Sequence, residues 1–345
     1  MRYCIAVDSG GTKTDLVLFD LSGRVIARHR GPGCNGMDIG KEEALQRMVT
    51  MIRNIASLSP SPIASFYGGI AGILPLGDYM SEEIRSILPE AVINVEDDGP
   101  ELISGTIGHK DGCGMVCGTG SSLFIRREGK PLEKIGGKGY LIDTGGSGFE
   151  LGRDAICMAF RSLEGRCGHT ALQELVGKEM KLPPEQWLKA IYDIKTGGRP
   201  FIARFSNTIF EGIAMGDKTS LQIAQKGAAL LGDLTRAAER FFNGRFTVVM
   251  SGGIVFSHPE YAQMIKEASS PEADLILATA APIYGAMVGA LWNLGLEADE
   301  AFHSRFLAQV QWQKTGVSDS EETLRNQKSR SLSAKGSRSL ILSIS

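Results

Sequence analysis

The chain has 345 residues, room for two ordinary domains or one large one. Hydrophobic residues make up 43% and charged ones 22%, which excludes a disordered chain, and a net charge of −2 offers no basic field for nucleic acid or an anionic membrane surface. Glycine is the outlier: 43 residues, about 12% where about 7% is usual, with no collagen period.

The opening, Met1 to Gly11, runs straight into a strand pattern and leaves no room for a signal peptide. No apolar run reaches the roughly 18 residues that span a bilayer. Residues 3–7 are a short apolar run ending at Asp8. Ser9-Gly10-Gly11-Thr12-Lys13-Thr14 follows, then apolar runs at 16–19 and 24–27 with a polar turn between them. This predicts two antiparallel hairpins in series: strand, glycine turn, strand, polar turn, strand. Ala44, Leu45, Met48, Met51, Ile52 and Ile55 recur at helical spacing, so 42–55 is predicted as an amphipathic helix. Residues 63–73 read as a β-rich stretch broken at Gly68, Gly69 and Gly72. A helix is expected over 81–88, then a buried strand over 91–95 that runs into Glu96-Asp97-Asp98. This order predicts an α/β domain with helices on a mixed sheet.

The pattern then recurs. Residues 114–117 lead into Gly118-Thr119-Gly120-Ser121-Ser122, then a strand at 123–126, a charged turn and a third piece ending at Gly136-Gly137. We read this as a diverged internal repeat, with chance likeness of two glycine turns as the alternative. Helical periods follow at 154–164, 170–176, 184–192, 200–215 and 220–243. A buried strand at 246–250 enters Ser251-Gly252-Gly253, another is expected at 275–278, and Pro282 opens a small-residue helix over 283–294. Residues 314–345 hold nine serines, six Lys/Arg and three Asp/Glu with little period, and read as a disordered tail. The six cysteines, Cys4, Cys34, Cys113, Cys117, Cys157 and Cys167, form no CxxC site and no disulfide framework. They are expected to be reduced and structural in a cytoplasmic protein.

A glycine turn rich in Ser and Thr aims several backbone N–H groups at one point, and such nests bind phosphate oxygens. Gly10, Gly11, Thr12 and Thr14 in the first turn, and Gly118, Thr119, Gly120 and Ser121 in the second, are candidate phosphate contacts. Lys13 adds a point charge. Asp8, at the end of its strand, is placed to hold Mg²⁺ directly or through water. One Gly-Gly turn is usually just a hairpin. Two of them, one in each half of a repeat, point to a polyphosphate gripped between two lobes. The spacing fits neither a Walker loop nor a GxGxxG turn after the first strand. Gly252 and Gly253 suit close approach of a flat ring such as a purine, or a plain strand-to-helix turn. Gly145-Gly146-Ser147-Gly148 opens an expected helix whose N–H groups favour an anion or a polar ligand. Asp98, between a strand and a helix, can take a proton from an alcohol attacking phosphorus. Asp97 or Glu96 could do so instead, and helix capping is the plain alternative for Asp98.

With these residues assembled, the chain resembles the BadF/BadG/BcrA/BcrD ATPase family, which includes the N-acetylglucosamine kinases and belongs to the actin, heat-shock-chaperone and sugar-kinase superfamily. The resemblance runs from about Tyr3 to about Ala298. It is carried by Asp8-Ser-Gly-Gly-Thr-Lys-Thr-Asp15, by Gly118-Thr-Gly-Ser-Ser122, and by Val248-Val-Met-Ser-Gly-Gly-Ile254 with Pro282-Ile-Tyr-Gly-Ala286 behind it. It implies two ribonuclease-H-like lobes of the actin-like ATPase fold with a nucleotide cleft between them. These would be residues 1–112 and 113–312, the second with a helical insertion, followed by a tail at 313–345. It also implies ATP with Mg²⁺, and an amino sugar such as N-acetylglucosamine, glucosamine or a muramic relative as substrate. Asp98 takes the place of the family's base, with the apolar Ile103 five residues on. Asn35 matches an asparagine that touches the sugar, and Gly72, Asp143 and Ser147 are the further expected substrate contacts.

There are departures. The hexosamine kinases usually carry Gly-Asp-Glu-Gly-Ser-Gly where this chain has Asp143-Thr-Gly-Gly-Ser-Gly148, which weakens the carry-over of sugar specificity. Another branch activates radical dehydratases through an iron–sulfur cluster held by a dimer. Cys117 precedes Gly118-Thr119-Gly120 as a cysteine does there, but no second matched cysteine follows. A partner-activating ATPase and a nucleotide or sugar sensor without turnover are therefore the alternatives to a kinase. The long helices of the second half would suit either a homodimer or a plain core.

Overall fold

The two copies of the unit build two five-stranded sheets. In the computed structural model, residues 2–73, 77–108, 110–143, 145–193 and 197–309 are described. The expected tail and Thr144, in the departing motif, lie outside the described residues. The first sheet holds β1 (Tyr3–Ser9), β2 (Lys13–Asp20), β3 (Val25–Pro32), β4 (Ile63–Ile70) and β5 (Val92–Glu96), in the order β3-β2-β1-β4-β5. The second holds β6 (Gly112–Cys117), β7 (Ser121–Arg126), β8 (Glu133–Gly136), β9 (Phe246–Ser251) and β10 (Ala273–Leu277), in the order β10-β9-β6-β7-β8. Read from its other edge, the second order is the first. In each sheet the first three strands are antiparallel and the last two join in parallel. The repeat suspected from two glycine turns thus extends to ten strands.

Two elements differ from expectation. The glycine pair does not break β4: Gly68 and Gly69 pair with Val7 and Asp8 on one side and with Val95 and Glu96 on the other. The break comes at Gly72, whose φ of 71° is in the left-handed region. The strand β5 is half-exposed rather than buried, because it is the edge of its sheet. The helix at Lys41–Ala56 buries Ala44, Met48, Met51, Ile52 and Ile55 and packs on β2 and β3. Residues 200–215 divide into helices Arg199–Ala203 and Ser206–Ala214. The long helix Lys218–Ala238 starts where the Asp217 carboxylate accepts the Ser220 amide.

Two helices tie the lobes together by exchange. Helix Pro100–Ile107 leaves β5 and packs on β6, β7 and β9 of the other sheet. Helix Pro282–Trp292 leaves β10 and packs on β1 and β4. Where they cross, a Cβ on Gly285 would collide with the Glu101 carbonyl, and a Cβ on Gly105 would stand 3.2 Å from the Gly285 Cα. The backbones touch because neither glycine has a side chain. Helix Glu300–Gln309 then returns to the first sheet. Phe302 meets Phe19 edge-on at 6.0 Å, and Gln309 accepts the Val25 amide at 2.9 Å. Residues 282–309 therefore brace the first sheet, although they follow the second in sequence. No helix among the described residues is long and apolar enough to cross a membrane.

The crossing supplies a stability test. Alanine at 285 gains about 1 kcal/mol of helix propensity over glycine. It also forces two backbones apart, an overpacking cost of about 1–3 kcal/mol or more. Gly285→Ala should lower the urea midpoint at an unchanged slope. A midpoint at or above wild type would show that the helices separate freely.

Candidate active site

The two glycine turns face each other across the lobes. In the first, the Gly10 amide donates to the Lys13 carbonyl at 2.9 Å. In the second, the Gly118 amide donates to the Gly120 carbonyl at 3.0 Å, and the amides of Gly148 and Phe149 hold the turn from behind. The hydroxyls of Thr12 and Thr119 stand 3.5 Å apart across the gap. Among the described residues the amides of Gly11, Thr12, Thr119 and Gly120 take no backbone partner, as an oxyanion nest requires. The third turn joins them: Gly252 has φ 132°, and a Cβ there would strike the Cys117 carbonyl, while Gly253 faces open space. Sequence reasoning grouped these turns, and the fold brings them together.

Some of the expected contacts are engaged elsewhere. Lys13 and Asp15 share the Asp8 face of the sheet, with Lys13 Nζ on Asp15 at 2.7 Å and Arg30 on the other side of Asp15 at 2.6 Å. Thr14 lies on the opposite face, fully buried, its hydroxyl on Ser9 at 2.8 Å and on the Pro32 carbonyl at 2.8 Å. It fastens the sheet and does not reach the cleft, because alternate residues of a strand face opposite ways. Ser147 is also fully buried. Its hydroxyl donates to the Thr119 carbonyl at 2.9 Å and its amide to Glu150 at 2.9 Å, as the cap of helix Gly148–Leu163. Ser147 thus shapes the second turn from behind and is sealed from a sugar. Ser121 donates to the Gly145 carbonyl at 2.9 Å. Asp143 accepts the Lys138 amide of its own loop at 2.9 Å. Asn35 and Gly72 are brought together, since a Cβ on Gly72 would meet the Asn35 side-chain oxygen. That oxygen accepts the Met37 amide at 2.9 Å and caps the short helix Gly36–Ile39.

Carboxyl groups line the floor. Asp8 on β1, Gly69 on β4 and Glu96 on β5 lie in one register row. Sequence reasoning missed the next member, Glu101, whose carboxyl fills the space a Gly69 Cβ would take. Glu101 is 1% exposed, and its carboxyl meets that of Asp8 with no other hydrogen-bond partner among the described residues. Burial pushes Asp8 up to about 6 against the pull of a hydrogen bond from Glu101 and of the Lys13 and Arg30 charges. Burial, then the charges of Asp8, Asp98 and Glu96, hold Glu101 well above the carboxylate range. Two buried carboxyls in contact, with no other donor group between them, fit a cation. Among the described residues no three or more His, Cys, Asp or Glu form a metal cage. The Asp8–Glu101 pair would suit Mg²⁺, which keeps waters and phosphate oxygens around one or two carboxylates.

The three acids after β5 have different partners. The Tyr67 hydroxyl donates to Glu96. Lys134, from β8 of the other lobe, holds Asp97 at 2.5 Å. Asp98 makes no ion pair among the described residues, and burial with the neighbouring Asp97 charge raises it well above the usual range. Nor does it cap the next helix, whose N-cap is Gly99 with no side-chain bond. Asp98 is thus the acid of the three without a direct side-chain partner beyond Asp97 among the described residues, and the Lys134 charge on neighbouring Asp97 pulls only partly against its burial. Cys117 lies fully buried in the second core, and burial pushes its thiol up to about 12. With no exposed surface, Cys117 offers nothing to a cluster shared across a dimer.

The chain is 27% identical to the N-acetyl-D-glucosamine kinase of Dictyostelium discoideum over 310 residues, 83% of this chain and 97% of that kinase. It is 25% identical to the N-acetylmuramic acid/N-acetylglucosamine kinase of Clostridium acetobutylicum, over 74% of this chain and 86% of that one. A candidate N-acetylglucosamine kinase from Chromobacterium violaceum, of known structure, shares the fold with a TM-score of 0.66 at 20% identity, over 83% of this chain and 98% of that one. A glucokinase of the ROK family from Streptomyces griseus, solved with glucose and AMPPNP, shares it with a TM-score of 0.52 at 16% identity, over 84% of this chain and 99% of that one. All of both sheets but the first two residues of β1, all three glycine turns and the carboxyl row fall within residues 5–292, the stretch that matches the family model, and the chain belongs to the BadF/BadG/BcrA/BcrD ATPase family.

Proposed function

We propose that this chain is an ATP-dependent kinase that transfers the γ-phosphoryl group to a hydroxyl of an amino sugar. One observation carries the reading: two glycine turns, one from each copy of a repeat, close on a cleft floored by Asp8 and Asp98. The kinase relatives, named for N-acetylglucosamine and N-acetylmuramic acid, support the sugar class. In this reading residues 1–112 and 113–312 are the gripping lobes. The six unpaired cysteines support a cytoplasmic setting.

The chemistry is chiefly positioning and charge. The amides of Gly11, Thr12, Thr119 and Gly120 hold phosphate oxygens. Gly253, open to the cleft, leaves room for the base. Asp8, with Glu101 beside it, would hold Mg²⁺, which when bound neutralises phosphate charge. Asn35, backed by Gly72, orients the sugar. Asp98 takes the proton of the attacking hydroxyl, and its raised proton affinity makes it the stronger base once ionised.

A coupled ADP-release assay across hexoses, amino sugars and acyl amino sugars tests the reading directly. Sugar-dependent release is expected with an acyl amino sugar, and silence across the panel would overturn it. Asp98→Asn should lose about 10²–10⁴-fold in turnover, the usual worth of a general base, while ATP still binds. Turnover near wild type would move the base elsewhere.

Asp8 adds a stability test with a definite sign. Its affinity for a proton is higher folded than unfolded, from an ordinary 3.8 to about 6. The native state therefore gains from protonation below 3.8, and that gain is lost as pH rises through about 6. In metal-free protein, Asp8→Asn should raise Tm at pH 7.5 and lose its advantage as pH falls below about 6. A Tm below wild type at pH 7.5 would show that the ionised Asp8 is already stabilised by its surroundings.

A further inference from the structure

A second polar device spans the cleft. Asp38 stands on the short helix that Asn35 caps, in the first lobe. Arg199 opens helix Arg199–Ala203, in the second. Arg199 Nη1 donates to Asp38 Oδ1 at 3.1 Å, with side chains 16% and 7% exposed. The pair is half-made: Asp38 Oδ2 and Arg199 Nε are both buried without a partner. Its place is specific. Asp38 Oδ2 lies 2.9 Å from where a Cβ of Gly11 would stand, and Arg199 Nη2 fills the space of a Cβ on Gly120. One ion pair therefore presses on both phosphate turns at once. The Tyr140 ring, with its centroid 5.5 Å from the guanidinium carbon, supports the plane.

A buried guanidinium needs an oxyanion, and carboxylate and phosphate present similar forks to it. Losing one partner of a buried pair is costly unless another takes its place. We propose that Arg199 is a phosphate-binding residue of this site, held by Asp38 in the empty protein and transferred to the terminal phosphate of a bound nucleoside triphosphate. The inference rests on the kinase reading and extends it to a residue outside the three glycine turns. The exchange frees the Asp38 carboxylate, three residues from Asn35, only when the triphosphate is in place.

Calorimetric titration of the full chain with Mg·AMP-PNP and with Mg·ADP tests this. Arg199→Ala should weaken AMP-PNP about tenfold or more, the worth of a charge-assisted hydrogen bond, and leave ADP affinity almost unchanged. Asp38→Asn, which removes the competing anion, should tighten AMP-PNP. If Arg199→Ala fails to fold, Arg199→Lys carries the test, since it keeps the charge without the fork and should lose part of the preference for the triphosphate. Equal losses for both nucleotides, or none, would overturn the role of Arg199 and leave the kinase reading standing. Wild-type protein that binds neither nucleotide would overturn both.

Discussion

The contact of Gly285 with the backbone of Glu101 is the constraint on which the site depends. Each lobe sends one helix onto the other's sheet, and the two can cross at this distance only where side chains are missing. The crossing fixes the start of helix Pro100–Ile107 with Glu101 over Gly69 of β4. Gly99 then fits flush on the Phe124 ring, Asp98 is left at the cleft, and the Glu101 carboxyl drops into the gap over Gly69. A wider crossing would draw Glu101 away from Asp8 and admit water to the row. The carboxyls are thus held by helix packing, and their own interactions oppose the arrangement.

Packing of this extent can hold a costly cluster because the burial is large and shared. One core lies between the first sheet and the two C-terminal helices, with Cys4, Ala6, Val17, Phe19 and Tyr67 against Ile283, Met287, Phe302 and Phe306. Residues on that face of β1 alternate from Cys4 through Ala6 to Asp8, so the strand carries its apolar core directly into the acid of the site. Conformational freedom at the floor is small for the same reason. Opening the cleft has to occur at the turns and at the Lys134–Asp97 and Arg199–Asp38 bridges, which cross it.

Much of this was legible in the sequence, and the failures have physical causes. The repeat was visible because each copy writes strand, glycine turn, strand in adjacent residues. The topology then followed it to the fourth and fifth strands, which no local pattern links. Thr14 was misplaced although parity excludes it: with Asp8, Lys13 and Asp15 on one face, Thr14 must share the other with Leu16 and Leu18. Ser147 likewise announces a capping box, with Glu150 three residues on. Glu101 and Arg199 had no such signal. Glu101 reads as an ordinary acid in the first turn of a helix, and only the helix crossing, a contact between residues far apart in sequence, buries it. Arg199 sits in Gly197-Gly198-Arg199-Pro200, a stretch that reads as a loop, and meets its partner 161 positions away. The return of residues 282–309 to the first sheet is of the same kind.

The carboxyls of the cleft also bear on the order of binding. Burial raises the proton affinity of Asp8, Glu101 and Asp98, so the empty cleft favours their neutral forms. In the proposed reading, a divalent cation arriving with a triphosphate would favour the ionised forms of Asp8 and Glu101, and the terminal phosphate would give Arg199 a fuller partner than a half-bonded carboxylate. The proposed site would therefore favour a metal–nucleotide unit over either component alone. The carboxyl row that weakens the empty protein would become a source of affinity once that unit is bound, because the same burial that raises the cost of an unpaired charge strengthens a paired one.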